Sequence, residues 1–296
     1  MNKVITCELR KWKKAPLSTE TWQAWSAFKA ELQYENYDAV IDLQGLTKSA
    51  LVSWLAKLSL SGKRYAMANR TEGSSYEAPT CWVADVAIRL EPHIHAVQRA
   101  RELCAKALDY KIDGIQQKIP LFGLESGVFN DNNAIINIAK TIIFAHGSSR
   151  DDKLWPIDNW VELGLRLHAD GLGVAIVHGS DEEKLRSEKI AKELNKSQAE
   201  VSVLPHMGLD ALLDVLGSSA GVVGVDSGLS HMAVALDVPH VQIYNFDTAW
   251  RTGPNLSASA SRQLSVYAKP TPTVDDVWQA WQAVKSETSR PETAKP

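Results

Sequence analysis

From residue 134 to 285, short apolar runs alternate with longer stretches whose apolar residues recur every three or four positions. TIIFAH (141–146), GVAIVHG (173–179), VSVL (201–204), GVVGV (221–225) and HVQIY (240–244) read as buried strands. Between them IDNWVELGLRLHADG, SDEEKLRSEKIAKEL, GLDALLDVLGSS and GLSHMAVAL have helical spacing. Asp158 is placed to cap the first helix and Gly171 to end it, and Ser180 with Glu183 has capping-box spacing at the second. Continuous apolar strands separated by helices predict βαβ units and a doubly wound parallel sheet, an α/β fold.

The first part of the chain is thinner in strands. KVITCEL reads as a strand, TETWQAWSAFKAELQYENY as a helix and DAVIDLQG as a buried strand. LTKSALVSWLAKLS and HAVQRARELCAKALDY follow as helices. The pattern is βα-like but incomplete for a domain. ESGVFNDNN (125–133) has no period and reads as a linker, and the apolar-poor stretch 286–296 as a disordered tail.

Composition narrows the function classes. Thirty-five acids against 32 bases give a formal charge of −3, so no global field favours nucleic acid. Cys7, Cys81 and Cys104 show neither disulfide nor zinc spacing, which fits a reducing compartment. No apolar run is long enough to span a bilayer and no signal peptide opens the chain, so the cytoplasm is expected. Ten tryptophans read mainly as core or interface anchors.

Ligands of parallel sheets bind beyond the carboxyl ends of the strands. Three loops leave the predicted strands at that edge. HGSSRDDKLWP (146–156) offers backbone amides and hydroxyls at Gly147, Ser148 and Ser149 with Lys153 as a mobile cation, a set suited to phosphate. Its alternative is a polar loop with a surface lysine. In HGSDEE (178–183), Glu183 can accept a ribose hydroxyl, or merely complete the capping box. In VDSGLSH, Ser227 or Asp226 caps a helix, Gly228 admits a ligand close to the backbone, and first-turn amides attract an anion. Asp226 suits hydroxyls rather than a diphosphate. His231 either faces the same crevice or is a satisfied core residue. LRKWKK (9–14) sets Arg10, Lys11, Lys13 and Lys14 around Trp12, an anion-binding or membrane-surface patch or a solvated turn. His93 and His95 have no third ligand in sight, so metal binding is not expected. No Walker loop, Gly-x-Ser-x-Gly elbow or Gly-x-Gly-x-x-Gly follows a strand.

YDAVIDLQGLTKSA, HAVQRARELCAKALDY, SSRDDKLWP, VLPHM and VDSGLSH, taken in order, resemble glycosyltransferase family 9, the lipopolysaccharide heptosyltransferases, and within it the branch that adds the first heptose. The resemblance covers nearly the whole chain. It implies a GT-B architecture, two Rossmann-like domains facing across a cleft: an incomplete acceptor-side domain over 1–125 and a donor domain over 134–285. It implies transfer of L-glycero-D-manno-heptose from ADP-heptose to a Kdo sugar of lipid A, inverting, with no cofactor or metal, on the cytoplasmic face of the inner membrane as a peripheral protein. Carried over, the donor-binding residues are Ser148, Ser149, Lys153, Glu183, Met207 beside the adenine, Asp226, Ser227, Gly228 and His231. Arg10, Lys11, Lys13 and Lys14 match a basic segment expected to meet the anionic acceptor. YNFDTAWRTGP departs from the family's Tyr-Gly-Pro-Thr at Asn245 and Phe246. The family's amino-terminal Ser-Ser-x-Gly-Asp loop, whose aspartate is the general base, aligns upstream of Met1, so a truncated first domain is expected. The alternatives are an inactive nucleotide-sugar binder and a sister enzyme with another acceptor.

Overall fold

The computed structural model describes residues 3–112, 124, 126–127, 137–254 and 262–288. The chain divides into two compact units, Met1–Ile112 and Asp113–Pro296. The linker expected over 125–133 lies outside the described residues apart from positions 126 and 127. So does the tail expected from 286, apart from its first three positions, which continue the last helix.

Unit 1 contains helices α1 (Leu9–Trp12), α2 (Thr19–Leu32), α3 (Thr47–Leu55), α4 (Pro79–Val83) and α5 (Ala96–Leu108) with strands β1 (Tyr37–Asp42), β2 (Leu58–Met67) and β3 (Val86–Ile88). The three strands are parallel, in the order β1-β2-β3. Ser18 caps α2 by accepting from the Thr21 amide at 3.1 Å. The core is split. Trp12, Phe28, Leu32, Leu55 and Ala56 form one cluster, with Trp12 edge-on to Trp25 at 5.6 Å. Met67, Ile88, Leu90, Leu103 and Ala107 form the other. The strand expected in KVITCEL is not formed: the segment is irregular to Glu8 and then turns into α1. Val4 stays exposed while Trp12 is buried, so the aromatic cluster, not a β ladder, anchors this end of the chain.

Unit 2 contains β4 (Thr141–Ala145), α6 (Ile157–Ala169), β5 (Gly173–Ile176), α7 (Asp181–Lys196), β6 (Val201–Val203), α8 (Leu209–Ser218), β7 (Gly221–Val225), α9 (Gly228–Ala235), β8 (His240–Tyr244), α10 (Ala249–Thr252), β9 (Gln263–Tyr267) and α11 (Val274–Thr288). All six strands are parallel, in the order β6-β5-β4-β7-β8-β9. The chain winds outward from β4 to β6, returns to β7 beside β4, and winds out the other way. That reversal creates a crevice between β4 and β7 at their carboxyl ends.

Strand alternation sorts the core into two layers. Ile142, Phe144, Val223 and Ile243 face Trp160, Leu163, Ile190, Val277 and Trp281, from α6, α7 and α11. Ile143, Ala145 and Val222 face Val215, Leu216 and Ala233, from α8 and α9. Both faces of the sheet are thus covered, as a parallel sheet requires. Gly224 is needed where α9 comes close: a Cβ there would collide with the Ser230 hydroxyl and stand 2.9 Å from Ala145 Cβ. Gly171 follows α6 with φ +77°, a left-handed stop that costs glycine little. The cap expected at Asp158 is not used. The N-cap position falls on Pro156, and Asp158 sits in the first turn, where its charge still suits the helix dipole.

Candidate functional site

The loop after β4 begins at His146, which is fully buried. Its Nε2 lies 2.7 Å from Ser187 Oγ, whose hydroxyl donates to the Glu183 carbonyl at 3.0 Å, so the ring nitrogen is the donor. Burial, reinforced by the nearby Arg186 charge, pulls the His146 pKa down to about 4 and keeps the ring neutral. The chain then runs through Gly147, Ser148 and Ser149, takes one tight turn over Asp151–Lys153, and re-enters the core at Trp155. Ser148 Oγ accepts from the Arg150 amide at 3.4 Å, while Ser149 is exposed.

Lys153 leaves this turn pointing at the start of α9. Its Nζ meets Asp226 Oδ2 at 2.6 Å. Asp226 is 6 % exposed, and its second oxygen stands 3.5 Å from His231 Nε2. The charge of Asp226 is thus shared by two side chains from opposite walls of the crevice. His231 keeps 45 % of its side chain exposed, so the core-histidine reading does not hold. Ser227 is the N-cap of α9, but its side chain makes no capping bond, and Asp226 turns to Lys153 instead. The amides at the start of α9 are thus left without a side-chain acceptor, and the Ser227 hydroxyl is buried without a partner among the described residues. A Cβ on Gly228 would meet nothing within 4 Å, so the approach to those amides is open.

Glu183 accepts from the Gly179 amide at 2.6 Å, while Ser180 Oγ accepts from the Glu183 amide at 3.2 Å. The capping box is therefore half formed, its return bond shifted to Gly179. The carboxylate leans over Gly147, where any Cβ would collide with it. A hollow of about 630 Å³ lies here, lined by Ser148, Ser149, Glu183 and Arg186 among others. A second hollow of about 820 Å³ is bordered by His178 and His206. Met207 lines neither of these; it packs, half-buried, on the core layer that contains Leu204 and Leu216.

Two residues beside the site had no role assigned from the sequence, although Asn245 was noted there as a departure from the family's loop. The Arg186 guanidinium donates to the Trp155 carbonyl, and burial pulls its pKa down. Asn245, directly after β8, donates to the carbonyls of Asp152 and Leu154. The available signals were Arg186's place three residues beyond Glu183, on the same helix face, and Asn245's place at a strand's carboxyl end.

The basic segment belongs to unit 1. Lys11 is bonded to Glu8 at 3.4 Å, Lys13 and Lys14 are exposed, and the Arg10 side chain lies outside the described residues. Unit 1 also holds a hollow of about 990 Å³ along β1 and α3, larger than either in unit 2. The acid on that strand, Asp42, accepts from the Gln44 and Gly45 amides and the Ser49 hydroxyl. His93 pairs with Glu72, and His95 accepts from the Val97 amide at the start of α5. Among the described residues no group of three or more His, Cys, Asp or Glu could hold a metal ion, and no helix is long and apolar enough to cross a membrane.

Comparison with known proteins adds to this geometry. Residues 25–279 match the family model described as glycosyltransferase family 9 (heptosyltransferase). Lipopolysaccharide heptosyltransferase 1 of Escherichia coli K12 is 36% identical over 249 residues, 82% of this chain and 72% of that protein. A solved structure of an E. coli heptosyltransferase with ADP covers 94% of this chain and 82% of its own, at 30% identity and a TM-score of 0.73. The same enzyme with ADP-2-deoxy-2-fluoro heptose gives 29% identity and 0.67, covering 97% and 82%.

Proposed function

The chain belongs to glycosyltransferase family 9, the heptosyltransferases of lipopolysaccharide assembly, and from that premise we propose that unit 2 binds ADP-L-glycero-D-manno-heptose. The observation that carries the reading is the 2.6 Å Lys153–Asp226 bond, which ties the loop after β4 to the start of α9 where the strand order reverses. The diphosphate lies against the open amides of α9, where the helix dipole favours negative charge, with the Lys153 ammonium beside it. Ser148 and Ser149 donate hydroxyls to the same phosphates. Glu183 takes the ribose hydroxyls, and Met207 stands by the adenine, where a polarizable thioether suits a flat base. Asp226 and His231 take hydroxyls of the heptose.

The heptose passes to a Kdo sugar of lipid A with inversion. As the acceptor hydroxyl attacks the anomeric carbon its proton must go to a base, and the leaving diphosphate gathers negative charge. Lys153 and the α9 amides stabilise that charge, which is the work a metal ion does in other nucleotide-sugar enzymes, so the reaction runs without one. Lys11, Lys13, Lys14 and Arg10 meet the anionic acceptor at the inner-leaflet surface.

Lys153→Ala tests the reading. Removing a charge-assisted bond should weaken ADP binding by about 10- to 100-fold in titration calorimetry. Unchanged affinity would overturn the donor site. Transfer measured in parallel separates an enzyme from a nucleotide-sugar binder.

A further inference from the structure

Lys153 sits on a loop, yet its neighbours are held from three directions. Asn245 supplies the most direct hold. Its Nδ2 donates to the Asp152 carbonyl at 3.0 Å and to the Leu154 carbonyl at 3.1 Å, the two residues that flank Lys153. Its Oδ1 accepts from Thr271 Oγ1 at 2.7 Å. One amide thus uses both of its protons and its oxygen, which fixes its own orientation as well as the loop. On the far side Arg186 holds the Trp155 carbonyl, and Trp155 Nε1 donates to the Pro272 carbonyl at 2.8 Å. Beneath the turn, Arg150 lies over the Phe246 ring at 5.5 Å and pairs with Asp152.

The two carbonyls that Asn245 binds belong to a turn whose other backbone bonds are short-range: Lys153 N to Arg150 O, and Leu154 N to Asp151 O. Such a turn fixes its own curvature but not its position relative to the sheet. Asn245, which follows β8, two strands from β4, ties both of these carbonyls to the sheet. A lysine with four rotatable bonds binds an anion well only if its Cα is held, since each added freedom must be lost on binding.

We propose that Asn245 is a positioning residue for the donor's diphosphate, acting through Lys153. The inference rests on the donor-site reading above and goes beyond it.

The test compares ADP with adenosine, which lacks the phosphates, on the whole chain. Asn245→Ala should weaken ADP about five- to tenfold, the range for losing neutral hydrogen bonds, and leave adenosine affinity unchanged. Thr271→Val, which frees the amide oxygen but leaves the main chain alone, should give a smaller loss with the same selectivity for ADP. In a Lys153→Ala background, Asn245→Ala should add nothing, because the group it positions is gone. Equal losses for ADP and adenosine would make Asn245 merely structural and overturn the proposal, as would full additivity with Lys153→Ala. Should Lys153→Ala alone leave ADP affinity intact, the donor-site reading fails. If Lys153→Ala weakens ADP while Asn245→Ala and Thr271→Val do not, only the positioning role falls.

Discussion

β1 ends at Asp42 and β7 runs directly into Asp226, and these two parallel strands differ in what surrounds each acid. β7 is GVVGV, buried at every position, hydrogen-bonded to β4 on one side and β8 on the other. β1 is YDAVID, half-buried for most of its length, and among the described residues it pairs only with β2. Asp42, next after β1's apolar run, spends its carboxylate on its own turn, bonding Gln44, Gly45 and Ser49. Asp226, just beyond β7, reaches instead across the crevice to Lys153 and toward His231. A strand with neighbours on both sides is a platform, and its terminal acid can be used for ligand chemistry. The tryptophans lean the same way: Trp155, Trp160 and Trp281 are buried in unit 2, while Trp22, Trp54 and Trp82 are exposed in unit 1, where Trp12 is buried.

The largest contrast should appear in hydrogen exchange. Central amides of β4 and β7 open only with unit 2 as a whole, whereas those of β1 open with a smaller, split core. Protection in β7 should exceed that in β1 by about 100-fold or more, where each tenfold is about 1.4 kcal/mol of opening free energy. Equal protection would erase the distinction between platform and edge.

Core truncation should rank the units the same way. Trp160 is fully buried, with its ring 4.7 Å from Phe144 and 5.1 Å from Trp155. Trp160→Ala should cost about 3–5 kcal/mol in urea unfolding of unit 2. Trp25 is only partly buried against Trp12 and Phe28. Trp25→Ala should cost roughly half as much in unit 1, since less apolar area leaves contact. A larger loss at Trp25 would mean that the aromatic cluster, not the sheet, carries unit 1.

The same division governed what could be read from the sequence. Strands buried on both faces are largely apolar runs, so β4, β5, β7 and β8 stood out; β6 (VSVL) and β1 (in DAVIDLQG) were read as well, although β1 proves only half-buried. β2 did not stand out: LSLSGKRYAM carries Lys63 and Arg64 within it, and its register with β1 shifts between Tyr37 and Ala39. β3 is three residues long, and β9, QLSVY, mixes polar and apolar positions at one end of the sheet. KVITCEL had strand composition without a strand's surroundings. From the residues alone Lys153, Glu183 and His231 stayed open between ligand and structural roles, and only the family resemblance favoured the ligand. As candidates, they and Asp226 were legible, because each lies in a loop beyond a strand or in the first turn of the helix after one. Arg186 and Asn245 were not, because their roles depend on carbonyls 31 and about 90 residues away, brought near only by the winding of the sheet.

Acid gives the smallest effect and the sharpest discrimination between the units. His146 and His240 are buried in unit 2, and burial pulls their pKa values down to about 4 and about 3. Their unfolded value is 6.5. Between those limits the unfolded chain binds more protons than the folded one, so stability is complete above about pH 6.5 and declines as the pH falls toward 4. Neither His93 nor His95 of unit 1 is buried in this way. Unit 2 should therefore lose stability faster than unit 1 between pH 7 and pH 5. His240→Leu removes one of the buried rings and should shrink that loss by on the order of 1–2 kcal/mol, read from urea midpoints at the two pH values. An unchanged pH response in His240→Leu would show that His240 takes up its proton in the folded state, which requires water or a carboxylate to reach β8 and would end the description of that strand as sealed on both faces.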